Sequence, residues 1–324
     1  MLRSFWYLQV FTSKNLFTFS FKTPLKSSLH LLASAHLPMY FRPMASISEL
    51  QRTASQVRRD ILRQVHAVNS GHPGGSLGCT DFLVALYFHA MKHQPSPFSM
   101  DGIGEDLFFL SNGHISPLWY SVLSRSGYFP VSELATFRKL NSRLQGHPAT
   151  EEGLEGIRAA SGSLGQGLSM GIGAALAKKL NQDKQLVYTL HGDGELQEGQ
   201  IWEAAMYAAA NKVDNLISTI DVNGQQIDGP TEKVLSLGDL RGKWEAFGWT
   251  VLSMNGNDMS DVVRGLDDAK AHTGKGKPVV ILMKTEMGAG VDFMMGTHKW
   301  HGVAPNDEQL ALALGQLEET LGDY

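Results

Sequence analysis

Five short apolar, partly β-branched segments limit the fold most: Leu107–Leu110, Leu186–Leu190, Leu216–Ile220, Thr250–Met254 and Pro278–Met283. Helical stretches lie between them, for instance Trp202–Asn211 and Met259–Ala271. Strands buried on both faces and alternating with helices pack as a parallel sheet with helices on each side, an α/β fold. Ahead of the strands, Leu50, Ala54, Val57, Ile61, Val65 and Val68 recur at steps of three and four. That spacing marks one face of an amphipathic helix, and Asn69-Ser70-Gly71 stops it. A second helix is expected from Asp81 to about Lys92 with Thr80 as its N-cap. A last one is expected to start at Asn306 or Asp307. No internal repeat interrupts this pattern, so residues 44–324 read as one domain.

Residues 1–43 are set apart, because residues 1–48 hold no Asp or Glu while carrying Arg3, Lys14, Lys22, Lys26 and Arg42. An acid-free, Ser-rich, basic leader fits an organelle transit peptide. A misplaced start codon, with translation beginning at Met39 or Met44, fits better, because the helical pattern starts just after Met44. A cytoplasmic location is expected on the second reading and an organelle on the first. The net charge of -4 gives no electrostatic footprint for nucleic acid. No apolar run approaches the roughly 20 residues that span a bilayer. Cys79 is the only cysteine, which rules out an intramolecular disulfide and a cysteine-rich metal site.

The most informative segment is Leu186–Gly229, read as strand, helix, strand. The first strand runs into His191-Gly192-Asp193-Gly194, a helix follows from about Glu195 to Lys212, and the second strand leads to Asp221-Val222-Asn223-Gly224-Gln225. Ligands of such a unit sit beyond the carboxyl ends of the strands, so Asp193 and Asn223 should emerge side by side. Gly192 and Gly194 allow close approach of the backbone, and a helix start offers N–H groups to an anion. One carboxylate and one amide oxygen suit Mg²⁺, which takes about six oxygens, usually one or two from protein and others from phosphates. The implied ligand is a diphosphate.

Gly192-Asp193-Gly194 through Asn223 resembles the thiamine-diphosphate motif, and Glu195-Leu196-Gln197-Glu198-Gly199 resembles its transketolase form. The resemblance implies the thiamine-diphosphate-binding fold, with a parallel sheet of five or six strands. It implies that Asp193, Asn223 and the backbone carbonyl of Gln225 hold Mg²⁺, with Ca²⁺ or Mn²⁺ as possible substitutes. It sets Glu198 at an interface where two cofactor sites communicate. Four histidine loops resemble transketolase motifs in the family's order: Ser70-Gly71-His72-Pro73, Ser111-Asn112-Gly113-His114, Gln145-Gly146-His147-Pro148 and Gly296-Thr297-His298. By that match His72 and His147 contact substrate hydroxyls, His114 lies against the diphosphate, and His298 touches both diphosphate and reacting group. His191 and His301 carry a weaker match. His30, His36, His66, His89, His93 and His272 are read as structural or surface residues. Ser161-Gly162-Ser163-Leu164-Gly165 resembles a segment lining the cofactor, with Gly162 and Leu164 in contact; Ser163 stands where many transketolases have proline.

The resemblance covers about residues 46–305, and only the first of a transketolase's three domains. In that family a glutamate of the second domain assists the cofactor, and most sugar-phosphate contacts lie outside the first domain. A companion subunit is therefore expected, in a tetramer of two copies of each chain. Together they would move a two-carbon ketol unit from a ketose phosphate to an aldose phosphate. A deoxyxylulose-phosphate-synthase-like or other two-carbon half enzyme stays open, as does a non-catalytic thiamine-diphosphate-binding or assembly protein. A zinc site lacks a histidine pair at i, i+4 spacing beside a carboxylate. A P-loop or dinucleotide protein lacks its fingerprint.

Overall fold

The computed structural model describes residues 45–324, so the expected leader at 1–43 lies outside the described residues, as do His30 and His36. The chain opens on α1 (Ile47–Ala67), whose start is fixed by a capping box: Ser46 and Glu49 exchange side-chain-to-backbone hydrogen bonds. Its stripe of Leu50, Ala54, Val57, Ile61 and Val65 is fully buried, and Asn69, at φ 47°, turns the chain out of the helix. Two short helices follow, α2 (Pro73–Gly78) and α3 (Thr80–Ala85), the latter continuing as a wider π turn at Leu86–Ala90. This corrects the expected single helix from Asp81. Thr80 lies within the helical run and donates its hydroxyl to the Ser76 carbonyl, so it is not an N-cap.

Strand β1 (Leu107–Leu110) leads through α4 (Ser116–Arg125) to α5 (Gln166–Leu180) and β2 (Val187–Gly192). Then come α6 (Gly199–Ala210), β3 (Leu216–Val222), a two-residue hairpin of β4 (Gln225–Gln226) and β5 (Gly229–Pro230), and the helices α7 (Thr231–Leu235) and α8 (Leu240–Ala246). Strand β6 (Thr250–Asn255), α9 (Met259–His272), β7 (Val279–Lys284) and α10 (Asp307–Gln316) complete the domain. The main sheet is parallel throughout, in the order β1-β2-β3-β7-β6.

Alternate strand residues feed two separate cores, as a period of two requires. Leu110, Tyr188, Leu190, Ile217 and Ile281 pack with α1, α3, α4 and α9 on one face. Phe109, Val187, Leu216, Ile220 and Val280 pack with α5, α6 and α8 on the other. The α/β expectation is met with five strands. One expectation fails: β6 is mostly half-exposed, whereas the other edge strand, β1, is buried and feeds both cores as the inner strands do. Among the described residues no helix is long and apolar enough to cross a membrane.

Candidate active site

The site lies where the parallel strands β1, β2, β3 and β7 end together, at the carboxyl edge of the sheet. Register sets Gly192 opposite Asp221, so the turn after β2 and the turn after β3 meet. Asp193 bridges them: one carboxylate oxygen accepts from Gly194 N–H at 2.7 Å, the other from Gly224 N–H at 2.6 Å. The helix expected from Glu195 to Lys212 is broken here. A 3₁₀ turn over Gly194–Gln197 precedes α6, and Gly194 N–H is taken by Asp193 itself rather than left for an anion.

Asn223 sits within this turn, donating its amide to Asp221 at 2.7 Å and accepting from Gln225 N–H at 2.8 Å. Asp221 is buried and also accepts from the Thr285 hydroxyl. Burial pushes the Asp221 carboxyl up. Burial, with Asp221 close by, raises Asp193 to about 7 despite the amides that favour its ionised form. No lysine or arginine among the described residues pairs with either carboxylate. Two buried acids without a counter-cation suit a divalent ion. The described residues gather no cluster of three His, Cys, Asp or Glu ligands, so the remaining oxygens would come from the ion's own diphosphate.

A third buried carboxylate, Glu195, holds the rest of the edge in place. It accepts from the Ser111 hydroxyl after β1, from Gly165 N–H at 2.7 Å at the start of α5, and from Gly192 N–H at 3.1 Å. His191 lies 3.5 Å away and is steadied on its other side by Thr189 at 2.8 Å. Burial works to raise Glu195, yet His191, Ser111 and Gly165 outweigh it and hold the carboxyl below its ordinary range.

Above this edge three imidazoles cluster, His72, His114 and His301, with ring centroids 5.0–5.6 Å apart. Burial, followed by its charged and histidine neighbours His301, Arg138 and His147, lowers His72 to about 4; His114 is likewise driven well below its usual value. Both rings are neutral at pH 7, able to donate and accept at once. Gly162, at φ 121°, packs so tightly on His147 that a Cβ there would lie 2.7 Å from the ring. Leu164 is half-buried, His298 precedes His301 by one 3₁₀ turn, and Glu198 is exposed at the head of α6. Buried polar atoms without partners line the same region, among them His72 Nδ1, His301 Nδ1, Asn112 Oδ1, Ser161 Oγ and Gln225 Oε1. A polar ligand fits there better than an apolar one.

The histidines read as structural are tied elsewhere: His66 to Asp307, His89 to Asp267, His93 to Tyr87 and Tyr128, and His272 to Asp268. Sequence reasoning gave no role to Glu195 or Asp221, and left His301 only weakly matched. The one sequence signal for the two acids is a charged residue set within three positions of a strand end that is otherwise apolar.

A parallel sheet whose carboxyl edge carries an Asp–Asn turn, two uncompensated acids and a ring of neutral histidines defines an α/β domain built for a cofactor diphosphate. The chain belongs to the transketolase family: residues 50–319 match the family described as transketolase, thiamine diphosphate binding domain. It is 38% identical over 275 residues to an apulose-4-phosphate transketolase subunit of Phocaeicola vulgatus, covering 85% of this chain and 96% of that protein. It is 38% identical over 271 residues to 6-deoxy-6-sulfo-D-fructose transketolase subunit SqwG of a Clostridium species, covering 84% of this chain and 97% of that protein. Against the Homo sapiens transketolase it is 33% identical, covering 81% of this chain and 41% of that one. The crystal structure of transketolase from Campylobacter jejuni superposes with a TM-score of 0.77 at 34% identity, over 84% of this chain and 43% of that one.

The Glu195 network yields a stability prediction. Glu195→Ala leaves the Ser111 hydroxyl, the buried Gly165 N–H and the half-buried Gly192 N–H without this acceptor, each worth about 1–3 kcal/mol when fully buried. A loss of at least about 3 kcal/mol is expected in urea denaturation, with Glu195→Gln costing less because its amide oxygen still accepts. A loss under about 1 kcal/mol for the alanine variant would show that the network does not hold the edge.

Proposed function

We propose that this chain is the cofactor-holding subunit of a two-chain transketolase, which moves a two-carbon ketol unit from a ketose phosphate to an aldose phosphate. The observation that carries the reading is the uncompensated pair Asp193 and Asp221 at the ends of β2 and β3, beside Asn223 and below the histidine cluster. In this reading Asp193, Asn223 Oδ1 and the Gln225 carbonyl hold Mg²⁺. Gly192 and Gly194 leave room for the diphosphate, and His114 lies against it. Gly162 and Leu164 line the cofactor slot, and Glu198 faces the neighbouring subunit. Thiamine diphosphate, when bound, supplies the electron sink for breaking and making the C–C bond.

The chain's own work is orientation and proton traffic. His72, His147 and His298 face the sugar, where their imidazoles hold hydroxyl and carbonyl oxygens and pass protons between them. His301, packed on His72 and His114, helps to bury those rings, and burial is the main reason they stay neutral. Two relatives named as subunits are matched over 96% and 97% of their length, whereas the Homo sapiens transketolase is matched over 41%. That contrast supports a companion chain that closes the cofactor from its other end; a tetramer of two copies of each is part of the proposal. The same two relatives are named for different anionic sugars, a phosphate and a sulfonate, so an anionic sugar is the substrate class proposed here.

Two outcomes follow. Asp193 must ionise to take the metal, and with a carboxyl near 7 protons compete with Mg²⁺. Calorimetry should find Mg²⁺-dependent thiamine diphosphate binding weak at about pH 6 and rising to a plateau at about pH 8; a flat profile would contradict the assignment. The chain alone, with saturating cofactor and Mg²⁺, is expected to show no ketol transfer, and adding the companion to restore it. Robust turnover by the pure single chain would overturn the two-chain reading.

A further inference from the structure

Arg138 is built as though it awaits an anion. Every other partly or fully buried arginine among the described residues pairs with a carboxylate within 3.5 Å: Arg58, Arg59, Arg63, Arg125, Arg143 and Arg158. Arg138 is half-buried and pairs with none. Its single hydrogen bond from the side chain goes to the Ser70 hydroxyl at 2.6 Å, and its Nε is buried without a partner. A guanidinium carries five donors in a fixed fork, so most of its capacity is unspent.

The side chain is also held rigidly. Arg138 adopts φ 54°, a left-handed conformation uncommon outside glycine, and its N–H is locked to the Leu144 carbonyl at 2.8 Å. A Cβ on Gly146 would lie 2.8–3.0 Å from Nε, Cζ and Nη2, so the guanidinium rests flat against the Gly146 backbone. Strained backbone of this kind persists where the surroundings over-determine it, and it gathers at ligand clamps. Arg138 and His147 line one open cavity of about 540 Å³, shared with Gln145 and Glu152, and Glu152 makes no ion pair with Arg138. The arginine is close enough to His72 and His147 to disfavour their charged forms.

We propose that Arg138 is a specificity-determining residue, gripping the tetrahedral anion at the end of the sugar remote from the reacting carbons. Planar forks of this kind suit phosphate and sulfonate oxygens in pairs. The proposal rests on the transketolase reading above, which supplies the sugar at His72 and His147. It adds that this chain, and not only its companion, reads the charged end of the substrate. Arg138→Lys keeps the charge and loses the fork, and Arg138→Met loses both.

The test compares fructose 6-phosphate with fructose as donor, using this chain reconstituted with its companion. Arg138→Met is expected to lower kcat/KM for the phosphorylated donor at least tenfold, mainly through KM, and to leave the fructose value within about twofold. Arg138→Lys should fall between, and Glu152→Gln should lower KM for the phosphorylated donor. Equal losses on both donors, or none on either, would overturn the proposal. A second readout is independent of turnover: titrating the isolated full chain with inorganic phosphate while following the Arg138 Nε–H resonance. A saturable shift, together with weaker phosphate binding by calorimetry in a chain carrying Arg138→Met, supports the site even if no sugar is turned over, in which case the transketolase reading alone fails. No saturable shift in the unmodified chain would overturn the site itself.

Discussion

The carboxylate of Glu195 is the interaction on which the rest of the site depends. Three chain segments, from the ends of β1 and β2 and the start of α5, deliver donors to it. Hydrogen bonds to a buried charge contribute roughly 1.5–3 kcal/mol each, enough together to outweigh the cost of burying the carboxylate. The carboxyl is held below its ordinary range against burial, with His191 the largest lowering influence and Ser111 and Gly165 after it. Through Ser111 this one group sets the loop that carries His114. Through Gly165 it sets the left-handed turn into α5, and through Gly192 the approach to Asp193. A parallel sheet supplies the edge, and Glu195 converts it from a row of loose loops into a fixed frame.

On that frame the protein stores an imbalance. Glu195 is satisfied, but Asp193 and Asp221 are two buried acids sharing amides and hydroxyls, with no basic partner among the described residues. Burial raises both carboxyls, Asp193 to about 7, so the imbalance is met in the free chain by favouring their protonated forms. A bound divalent ion would relieve it, and so would couple cofactor loading to the stability of the whole edge. The histidines above are arranged on the opposite principle. Crowded together and shielded from water, His72 and His114 are kept neutral, which leaves both lone pairs and N–H groups available for hydroxyls.

Much of this was legible in the sequence, and for identifiable reasons. The inner strands announce themselves because burial on both faces leaves only apolar, β-branched runs, and the Gly-Asp-Gly to Asn spacing is fixed by the length of one helical crossover. Tertiary context decided the rest. Thr80 has the chemistry of an N-cap, yet the preceding helix runs into it and turns its hydroxyl back on Ser76. The segment Thr250–Asn255 has the apolar look of an inner strand, but its place at the edge depends on strand order, which no local pattern encodes. Glu195 was visible only as part of a motif, since its partners come from residues 30 and 84 positions away along the chain. Arg138 was not singled out at all, because what distinguishes it is a missing partner and a backbone angle.

The central claim is that the turns after β2 and β3 hold a divalent ion for a cofactor diphosphate. Crystals of the chain grown with thiamine diphosphate and Mn²⁺ in place of Mg²⁺ test it directly through the anomalous signal of the metal. The account predicts one Mn²⁺ peak within coordination distance of Asp193, Asn223 Oδ1 and the Gln225 carbonyl, completed by two diphosphate oxygens. A peak elsewhere, or cofactor bound with no metal at Asp193, would contradict it.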